Sequence, residues 1–287
     1  MSVMSQAIKK VQAHRLHLGE ERGTSRVVPE EVPVAFVYNG ATAAVMMASP
    51  IDLEDFAVGF SLTEGHLECA SNIEELEIVP HDGGIELRMW LASHAGQRLA
   101  SRRRAMLGPT GCGLCGIESI AAALPVVPAI RSDVTVAPAK LIRAMTELRD
   151  LQVLNAQASA LHAAAFYVQG RGIISVREDV GRHNALDKLA GAIAREEINA
   201  SEGVALLTSR VSVEMVQKAA SCGFPVVAAV SAPTALAIKT AHAAGITMAA
   251  IVRHDGFEVF THPHRIVDTC CNHGALGNKN EDDHAGI

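Results

Sequence analysis

Apolar positions in the first half of the chain follow the two-residue period of β-strands, with one helical stretch between them. Asn39-Gly40 separates two apolar runs and favours a type I′ hairpin turn. Pro50 suits the first turn of the helix that follows. The predicted elements are strands at Val32–Tyr38 and Ala43–Met47, a helix from Ser49 to Gly65, and strands at Leu76–Val79 and Ile85–Leu91. These mostly antiparallel strands predict an α+β domain.

The second half alternates helical and strand patterns more regularly. The predicted helices are Pro138–Leu151, Asn184–Ile198, Val213–Cys222 and Thr234–Ala244, and the predicted strands are Ala163–Val168, Gly172–Arg177, Val204–Thr208, Pro225–Val230, Thr247–Arg253 and Phe257–Thr261. The strands are nearly continuous apolar runs, which is typical of strands buried on both faces. We therefore expect an α/β domain with a mostly parallel sheet covered by helices on both sides.

Changes in polarity divide the chain into four predicted parts. Residues 1–25 form a polar arm, and residues 26–133 form the α+β domain, within which residues 93–116 read as a mobile, basic, glycine-rich loop. Residues 134–270 form the α/β domain, and residues 271–287 form a polar tail.

Composition excludes several classes of function. The 287 residues carry a formal net charge of −6 and only 3% aromatic residues, which disfavours a nucleic-acid-binding surface. No apolar run is long enough to span a bilayer, and no secretory signal is recognisable at the start. The six cysteines are therefore expected in a reducing compartment, where they serve packing, metal binding or thiol chemistry rather than structural disulfides.

The strongest chemical candidate is the cysteine pair in Gly111-Cys112-Gly113-Leu114-Cys115-Gly116. The upstream arginines Arg102–Arg104 lower the pKa of a nearby thiol, and the glycines leave room for the sulfur of a second protein. Two alternatives stay open. The pair could form half of a zinc site completed by Cys270, Cys271 or His273. It could also be a thioredoxin-like redox pair, although that motif normally opens a helix after a strand.

Other candidates lie at predicted strand ends. Arg177–Lys188 holds charges of both signs at a strand-to-helix junction, where Arg182 and His183 suit an anion. The alternative is a solvated capping cluster with Asp187 and Lys188 as an exposed helix pair. The segment Phe260-Thr261-His262-Pro263-His264-Arg265 suits a phosphate or a guanine edge, unless it is a surface turn. His162 could act in a site or be a satisfied core histidine.

These segments together resemble the FdhD family of sulfur carrier proteins required for formate dehydrogenase. The resemblance runs from about Val28 to Arg265 and is most specific where the cysteine pair accompanies Glu178–Lys188. Its remaining motifs are Asn39-Gly40, Asp52–Phe60, Thr63-Glu64-Gly65, His162-Ala163-Ala164, Glu214–Ala219 and Ser231–Thr234.

The resemblance implies a sulfurtransferase-type carrier. A cysteine desulfurase would pass sulfur to Cys112 as a persulfide, with Cys115 assisting or relaying. The carrier would then sulfurate a molybdenum (or tungsten) bis-pterin guanine dinucleotide, which is a transient ligand and not a permanent cofactor, before the latter enters formate dehydrogenase. The family's cofactor-binding stretch corresponds best to Phe260–Arg265, and Arg182 and His183 are further candidates; no metal-ligating residues are expected. The resemblance also implies a cytoplasmic homodimer.

The resemblance further implies a cytidine-deaminase-like, three-layer fold for the second half. Zinc deaminases need His-x-Glu followed by Pro-Cys-x-x-Cys. Here Ala164 stands where the glutamate is required, and the cysteine pair precedes His162 instead of following it. Deaminase activity is therefore not expected. A non-catalytic cofactor-binding chaperone and a zinc-stabilised interaction protein remain alternatives to the carrier.

Overall fold

The structure is a computed structural model that describes residues 7–97, 99 and 127–268. The strands are β1 (Ile8–His17), β2 (Glu20–Pro29), β3 (Val32–Tyr38), β4 (Ala41–Ala48), β5 (Ile73–His81), β6 (Gly84–Leu91), β7 (His162–Val168), β8 (Gly172–Asp179), β9 (Gly203–Leu207), β10 (Val226–Ala229), β11 (Thr247–Arg253) and β12 (Gly256–Thr261). The principal helices are α1 (Leu53–Thr63), α2 (Pro138–Leu151), α3 (Asn155–Ala158), α4 (Arg182–Arg195), α5 (Val213–Cys222) and α6 (Ala235–Ala244).

The first half contains a four-stranded sheet in the order β4-β3-β6-β5, with α1 packed on one face. The predicted hairpin turn is confirmed, since Asn39 and Gly40 both have positive φ angles of 48° and 81°. Phe36 from β3 meets Phe56 from α1 edge-on, with their ring centroids 5.0 Å apart. The helix is thereby fixed across the sheet by the apolar face that the sequence pattern predicted.

The N-terminal arm was predicted without secondary structure, but β1 and β2 pair there as an antiparallel ribbon. Its Leu18-Gly19 turn has positive φ angles at both residues. The strands were missed because their apolar residues do not alternate with polar ones, and most of the ribbon is exposed on both faces. The segment assigned to the cysteine loop also begins differently, because residues 93–97 are helical.

The second half is built on a six-stranded sheet in the order β12-β11-β10-β9-β7-β8. The expectation of a mostly parallel sheet is wrong, since only the β9–β10 and β10–β11 pairs are parallel. The other three pairs are antiparallel. The reason is that β7–β8 and β11–β12 are hairpins, and helices join neighbouring strands only from β9 to β11. Helix α4 joins β8 to β9, but β7 lies between these two strands. Helix α2 covers one face and α4, α5 and α6 cover the other, giving three layers.

Helix α1 joins the two halves because its second side packs on α4 at two glycines. A Cβ atom on Gly59 would overlap the carbonyl of Asp187, and one on Gly191 would overlap the carbonyl of Asp55. The close approach lets Asp55 accept a hydrogen bond from Arg177 Nε at 2.8 Å. The two sheets are therefore held by helix-to-helix contact rather than by a loose linker.

Several predictions fall outside the described residues, namely most of the cysteine loop at 93–116 and the polar tail at 271–287. The proposed domain boundaries and the cytidine-deaminase likeness stay predictions. No helix among the described residues is long and apolar enough to cross a membrane.

Candidate functional site

Most charged side chains of Glu178–Lys188 are buried inside the protein. Lys188 is fully buried, and its Nζ lies 2.6 Å from Asp179 Oδ2 and donates to the carbonyl of Ser49 at 2.9 Å. Asp179 also accepts hydrogen bonds from the backbone N–H groups of Ser49 and Gly181, at 3.0 and 2.8 Å. This ion pair connects the end of β4 to the start of α4, so its residues build the junction of the two halves.

A second buried cluster surrounds Asp187. Lys218 Nζ donates to both Asp187 oxygens at 2.9 and 3.0 Å, and to Glu64 Oε1 at 2.6 Å. Thr63 Oγ1 donates to Asp187 at 2.6 Å. Burial raises the pKa of Asp187 to about 6, against the attraction of Lys218. The alternative of an exposed Asp187–Lys188 helix pair is therefore wrong, because both side chains are buried.

Arg182 and His183 do lie at the N-terminus of α4, as expected for anion-binding residues. Arg182 Nε and His183 Nε2 are buried atoms without a hydrogen-bond partner among the described residues. His183 Nε2 lies 3.8 Å from Glu214 Oε2, beyond hydrogen-bonding distance. Burial first, and Arg182 second, lower the pKa of His183. The first turn of α4 thus presents one permanent cation beside a neutral imidazole at pH 7.

His162 lies close to this turn. It begins β7 and pairs in register with Asp179 at the end of β8. Burial and then Arg182 lower its pKa, so its imidazole is also neutral at pH 7. The carboxyl end of β9 is adjacent, because Thr208 N donates to the Ala163 carbonyl at 3.1 Å. His162, Arg182 and His183 therefore share the sheet edge at which ligands of open α/β sheets bind.

Several side chains of the segment Phe260–Arg265 are already engaged in contacts within the protein, which the sequence does not indicate. Phe260 packs on the core, and Thr261 Oγ1 donates to the carbonyl of Ile246 at 2.6 Å. Arg265 is buried and donates to the carbonyls of Ser132 and Gly245, at 3.1 and 2.8 Å. Its guanidinium is thereby committed to holding the chain together, and burial lowers its pKa.

The two histidines of this segment remain at the surface. His262 has a positive φ angle of 46°, stacks on His242 with ring centroids 4.9 Å apart, and lies edge-on to His264 at 5.9 Å. Within the described residues, no group of three His, Cys, Asp or Glu side chains is arranged to hold a metal ion. Together with Pro263, which begins a short 3₁₀ turn, these histidines present their rings at the surface.

The two predicted cofactor-binding groups lie at opposite ends of the strands in the six-stranded sheet. Thr261 pairs with Met248 at the amino end of β11, beside the amino ends of β9 and β10. His162 and Asp179 lie beyond the carboxyl end of β9. Since β9 has five residues, the two ends are roughly 15 Å apart. The structure does not bring Arg182 and His183 together with the Phe260–Arg265 segment.

Cys112 and Cys115 lie outside the described residues, as do Cys270 and Cys271. The nearest described positions are Leu99, which is buried against the first sheet, and Val127, which packs on the second core. The cysteine segment is thus attached on one side to each half of the molecule. Twelve residues lie between Leu99 and Cys112, and eleven lie between Cys115 and Val127, so a reach of roughly 40 Å is covalently possible from either side.

Sequence reasoning missed a pocket beside His162. It has a volume of about 390 Å³ and is lined by Gln152, Asn155, Ser159, Ala160, Leu161, His162 and Thr208. Gln152 is only 5% exposed, and its Nε2 has no hydrogen-bond partner among the described residues. A glutamine at the end of an amphipathic helix carries no pattern that marks it as functional, so no sequence signal could have identified it.

Comparison with known proteins places the chain. A family model described as "FdhD/NarQ family" matches residues 29–267. The chain belongs to the FdhD/NarQ family. The FdhD/NarQ match begins at the end of β2, so most of the N-terminal ribbon precedes it.

Two FdhD/NarQ relatives are named sulfur carrier protein FdhD. The protein from Agrobacterium fabrum is 52% identical over 260 residues, covering 90% of this chain and 96% of the relative. The protein from Brucella abortus is 54% identical over 258 residues, covering 90% and 95%. A crystal structure of a candidate formate dehydrogenase accessory protein from Desulfotalea psychrophila superposes with a TM-score of 0.72 at 24% identity, covering 91% of this chain and all of that one. This last likeness establishes a shared fold.

Proposed function

We propose that this chain is a sulfur carrier that takes sulfur from a cysteine desulfurase and transfers it to a molybdenum or tungsten bis-pterin guanine dinucleotide before that cofactor enters formate dehydrogenase. The observation that carries the proposal is the Cys112-x-x-Cys115 pair, flanked by glycines and arginines, within the part of the chain that matches the FdhD/NarQ family. The relatives' shared name, sulfur carrier protein FdhD, supports the same role.

Loading of the carrier is a thiol exchange that needs no external oxidant or reductant. The Cys112 thiolate attacks the terminal sulfur of the desulfurase persulfide, a new S–S bond forms on Cys112, and the desulfurase cysteine leaves as a thiolate. The nearby arginines favour the thiolate that makes this attack.

Cys115 is suited to assist the release of the sulfur. If its thiolate attacks Cys112, the terminal sulfur departs as hydrosulfide towards the metal of the acceptor. The Cys112–Cys115 disulfide left behind would then need a thiol reductant to reopen it. The cofactor is thus a substrate of the carrier, and its metal receives the sulfur.

The acceptor carries pyrophosphate groups, and the N-terminus of α4 suits one of them. Arg182 supplies a permanent positive charge with a free Nε, and the helix end adds partial positive charge and backbone N–H groups. Lys188 and Lys218 cannot take this role, since buried carboxylates already hold both of them. We therefore assign Arg182 to the cofactor's phosphate.

The test is mass spectrometry of the chain after incubation with a desulfurase and cysteine. The peptide containing Cys112 should gain one sulfur, and Cys112→Ser should abolish the gain. Cys69→Ser is the matched control, because Cys69 is a free and exposed thiol outside the pair. A gain that persists after Cys112→Ser and Cys115→Ser together would overturn the proposal.

Complementation of a strain lacking its own carrier separates the remaining alternatives. Formate dehydrogenase activity restored by a chain with both cysteines changed to serine would favour a non-catalytic chaperone. Stoichiometric zinc bound through Cys112 and Cys115 in the purified protein would favour an interaction protein. The carrier predicts that neither is observed.

A further inference from the structure

Another cavity lies between α2 and the turn that joins β7 to β8. Its volume is about 490 Å³, which is within the range of small-molecule sites. It surrounds the end of β7, where Val168 pairs with Gly203 at the amino end of β9. His162 begins the same strand, so this cavity and the pocket beside His162 lie at opposite ends of β7.

The chemistry of the cavity comes from two elements. Lys140, Arg143 and Glu147 are spaced three and four residues apart, so they lie on one face of α2. Arg171 comes from the β7–β8 turn, between two glycines whose φ angles of 86° and 82° are readily adopted only by glycine. All four side chains line the cavity. The fold therefore brings together charged residues that are more than 20 positions apart in sequence.

The lining carries an excess of positive charge. Lys140, Arg143 and Arg171 oppose the single carboxylate of Glu147, although the whole chain has a formal net charge of −6. None of these three cations forms an ion pair with another of the described residues. A cleft lined mainly by one sign of charge raises the local concentration of ions of the opposite sign. The cavity is therefore suited to an anion.

Tyr167 adds a neutral donor to these cations. Its side chain packs in the core under α2 and is only 6% exposed, yet its hydroxyl makes no hydrogen bond to any described residue. Burial and then the Glu147 carboxylate raise the pKa of Tyr167, while Arg143 acts in the opposite direction. The hydroxyl therefore keeps its proton at pH 7 and can donate it to a ligand oxygen.

We propose that this cavity binds a phosphate group, supplied either by free phosphate or by a small phosphate monoester. Arg143 and Arg171 suit its oxygens because a guanidinium group donates two parallel hydrogen bonds to an oxyanion, and Lys140 adds a compact positive charge. The Tyr167 hydroxyl supplies a further donor. A phosphate group carries a charge of about −1.5 to −2 and three acceptor oxygens, which match this donor set better than a monocarboxylate does. The proposal goes beyond sulfur transfer and does not depend on it.

Isothermal titration calorimetry of the full chain with inorganic phosphate tests the site. Sodium chloride keeps the ionic strength constant, so that general screening does not change during the titration. Phenyl phosphate is titrated in the same way to identify the source of the group. Tighter binding of the ester assigns the remaining volume to an organic group, and tighter binding of inorganic phosphate assigns the site to the free ion. No saturable binding of either probe overturns the proposal.

Arg143→Met locates the binding. We expect the Kd for phosphate to rise about tenfold, since a charge-assisted hydrogen bond is lost. Arg149→Met is the matched control, because Arg149 is exposed on the same helix but does not line the cavity. Its Kd should change by less than about twofold, since its charge is screened from the site. An equal loss in both variants would assign the binding to the general charge of α2 and would overturn the proposal.

Glu147→Gln tests the site in the opposite direction. It removes the only carboxylate of the lining, so the Kd for phosphate should fall about threefold or more, an effect that a folding defect would not produce. Tyr167→Phe keeps the ring in the core and removes only the hydroxyl, so the Kd should rise about threefold or more. Phosphate binding that neither variant alters overturns the proposal.

Discussion

Lys188 and Asp179 form an ion pair whose side chains have no exposed surface, with Nζ 2.6 Å from Oδ2. The pair lies where α4 meets the end of β4, and the Ser49 backbone contacts both partners. The motif Glu178–Lys188, which the sequence presents as a phosphate-binding cluster, thus partly serves to hold the two halves together. The role of each of its charged side chains must therefore be decided from its own contacts.

Lys188→Met should destabilise the fold by about 3–5 kcal/mol, because it leaves the Asp179 carboxylate buried without its cation. Urea unfolding followed by circular dichroism measures the loss. Lys239→Met is the control, because Lys239 is exposed on α6, and a change within about 0.5 kcal/mol is expected there. A loss below about 1 kcal/mol for Lys188→Met would contradict the buried pair.

Gly191→Ala should destabilise the chain by about 3 kcal/mol, since the added methyl group overlaps the Asp55 carbonyl and forces α1 away from α4. Helix propensity alone predicts the opposite sign, a gain of about 1 kcal/mol. Gly83→Ala, in an open turn with no atom within 4 Å of the new carbon, is the control. Thermal and urea unfolding of the two variants decide between packing and propensity.

Stability should fall as pH rises from about 4 to about 6. Burial raises the pKa of Asp187 from 3.8 to about 6, so the folded chain holds this proton more tightly than the unfolded chain does. The stabilising effect of the proton is complete below the unfolded pKa and is lost as pH passes the folded one. Urea midpoints across pH 4–8 measure this slope, and Asp187→Asn should remove the part that belongs to Asp187. Asp150→Asn, at an exposed position of α2, should leave the slope unchanged; a slope retained in Asp187→Asn would refute the assignment.

Replacement by methionine should lower the stability of the fold at Arg265 and weaken ligand binding at Arg182. Arg265→Met leaves the carbonyls of Ser132 and Gly245 unpaired and should cost about 3 kcal/mol of stability. Arg182→Met should leave stability nearly unchanged and raise the Kd for GDP about tenfold, because a phosphate contact is lost. Paired unfolding and calorimetry experiments measure both quantities. If only Arg265→Met weakened GDP binding, the phosphate would be assigned instead to the amino ends of β9, β10 and β11, where Arg265 lies.

Periodicity was sufficient to predict most elements of this fold but not how they pair. The β3–β4 hairpin could be predicted because Asn39-Gly40 fixes its turn, and the helix at Val213–Cys222 because its apolar face is regular. An apolar run does not show in which direction its strand pairs with a neighbour. The antiparallel β7–β8 pair was therefore predicted as part of a parallel sheet. The exposed β1–β2 ribbon lacks a buried face and therefore lacks the alternation that marks strands.

The candidate site also contains some features that could be predicted from the sequence and others that could not. Arg182 and His183 could be predicted because a glycine-containing strand-to-helix junction is a local feature. The burial of Lys188 and Lys218 could not, since their partners Ser49 and Glu64 are 139 and 154 residues away in sequence. Gln152 was missed for a related reason, because an unpaired atom can only be recognised once its surroundings are known. The roles of Cys112 and Cys115 stay predictions.

The joint between α1 and the second half also sets an order of events during synthesis. Thr63 on α1 emerges from the ribosome 155 residues before Lys218, whose Nζ donates to it in the folded chain. At translation rates of about 5–20 residues per second, the polar side of α1 waits roughly 10–30 s for its partners. Throughout that interval the nascent first half presents Glu64 without Lys218, and Asp55 stays unpaired until Arg177 and Arg195 have been translated. Chaperone capture of this ribosome-bound intermediate should therefore end once α5 has been translated.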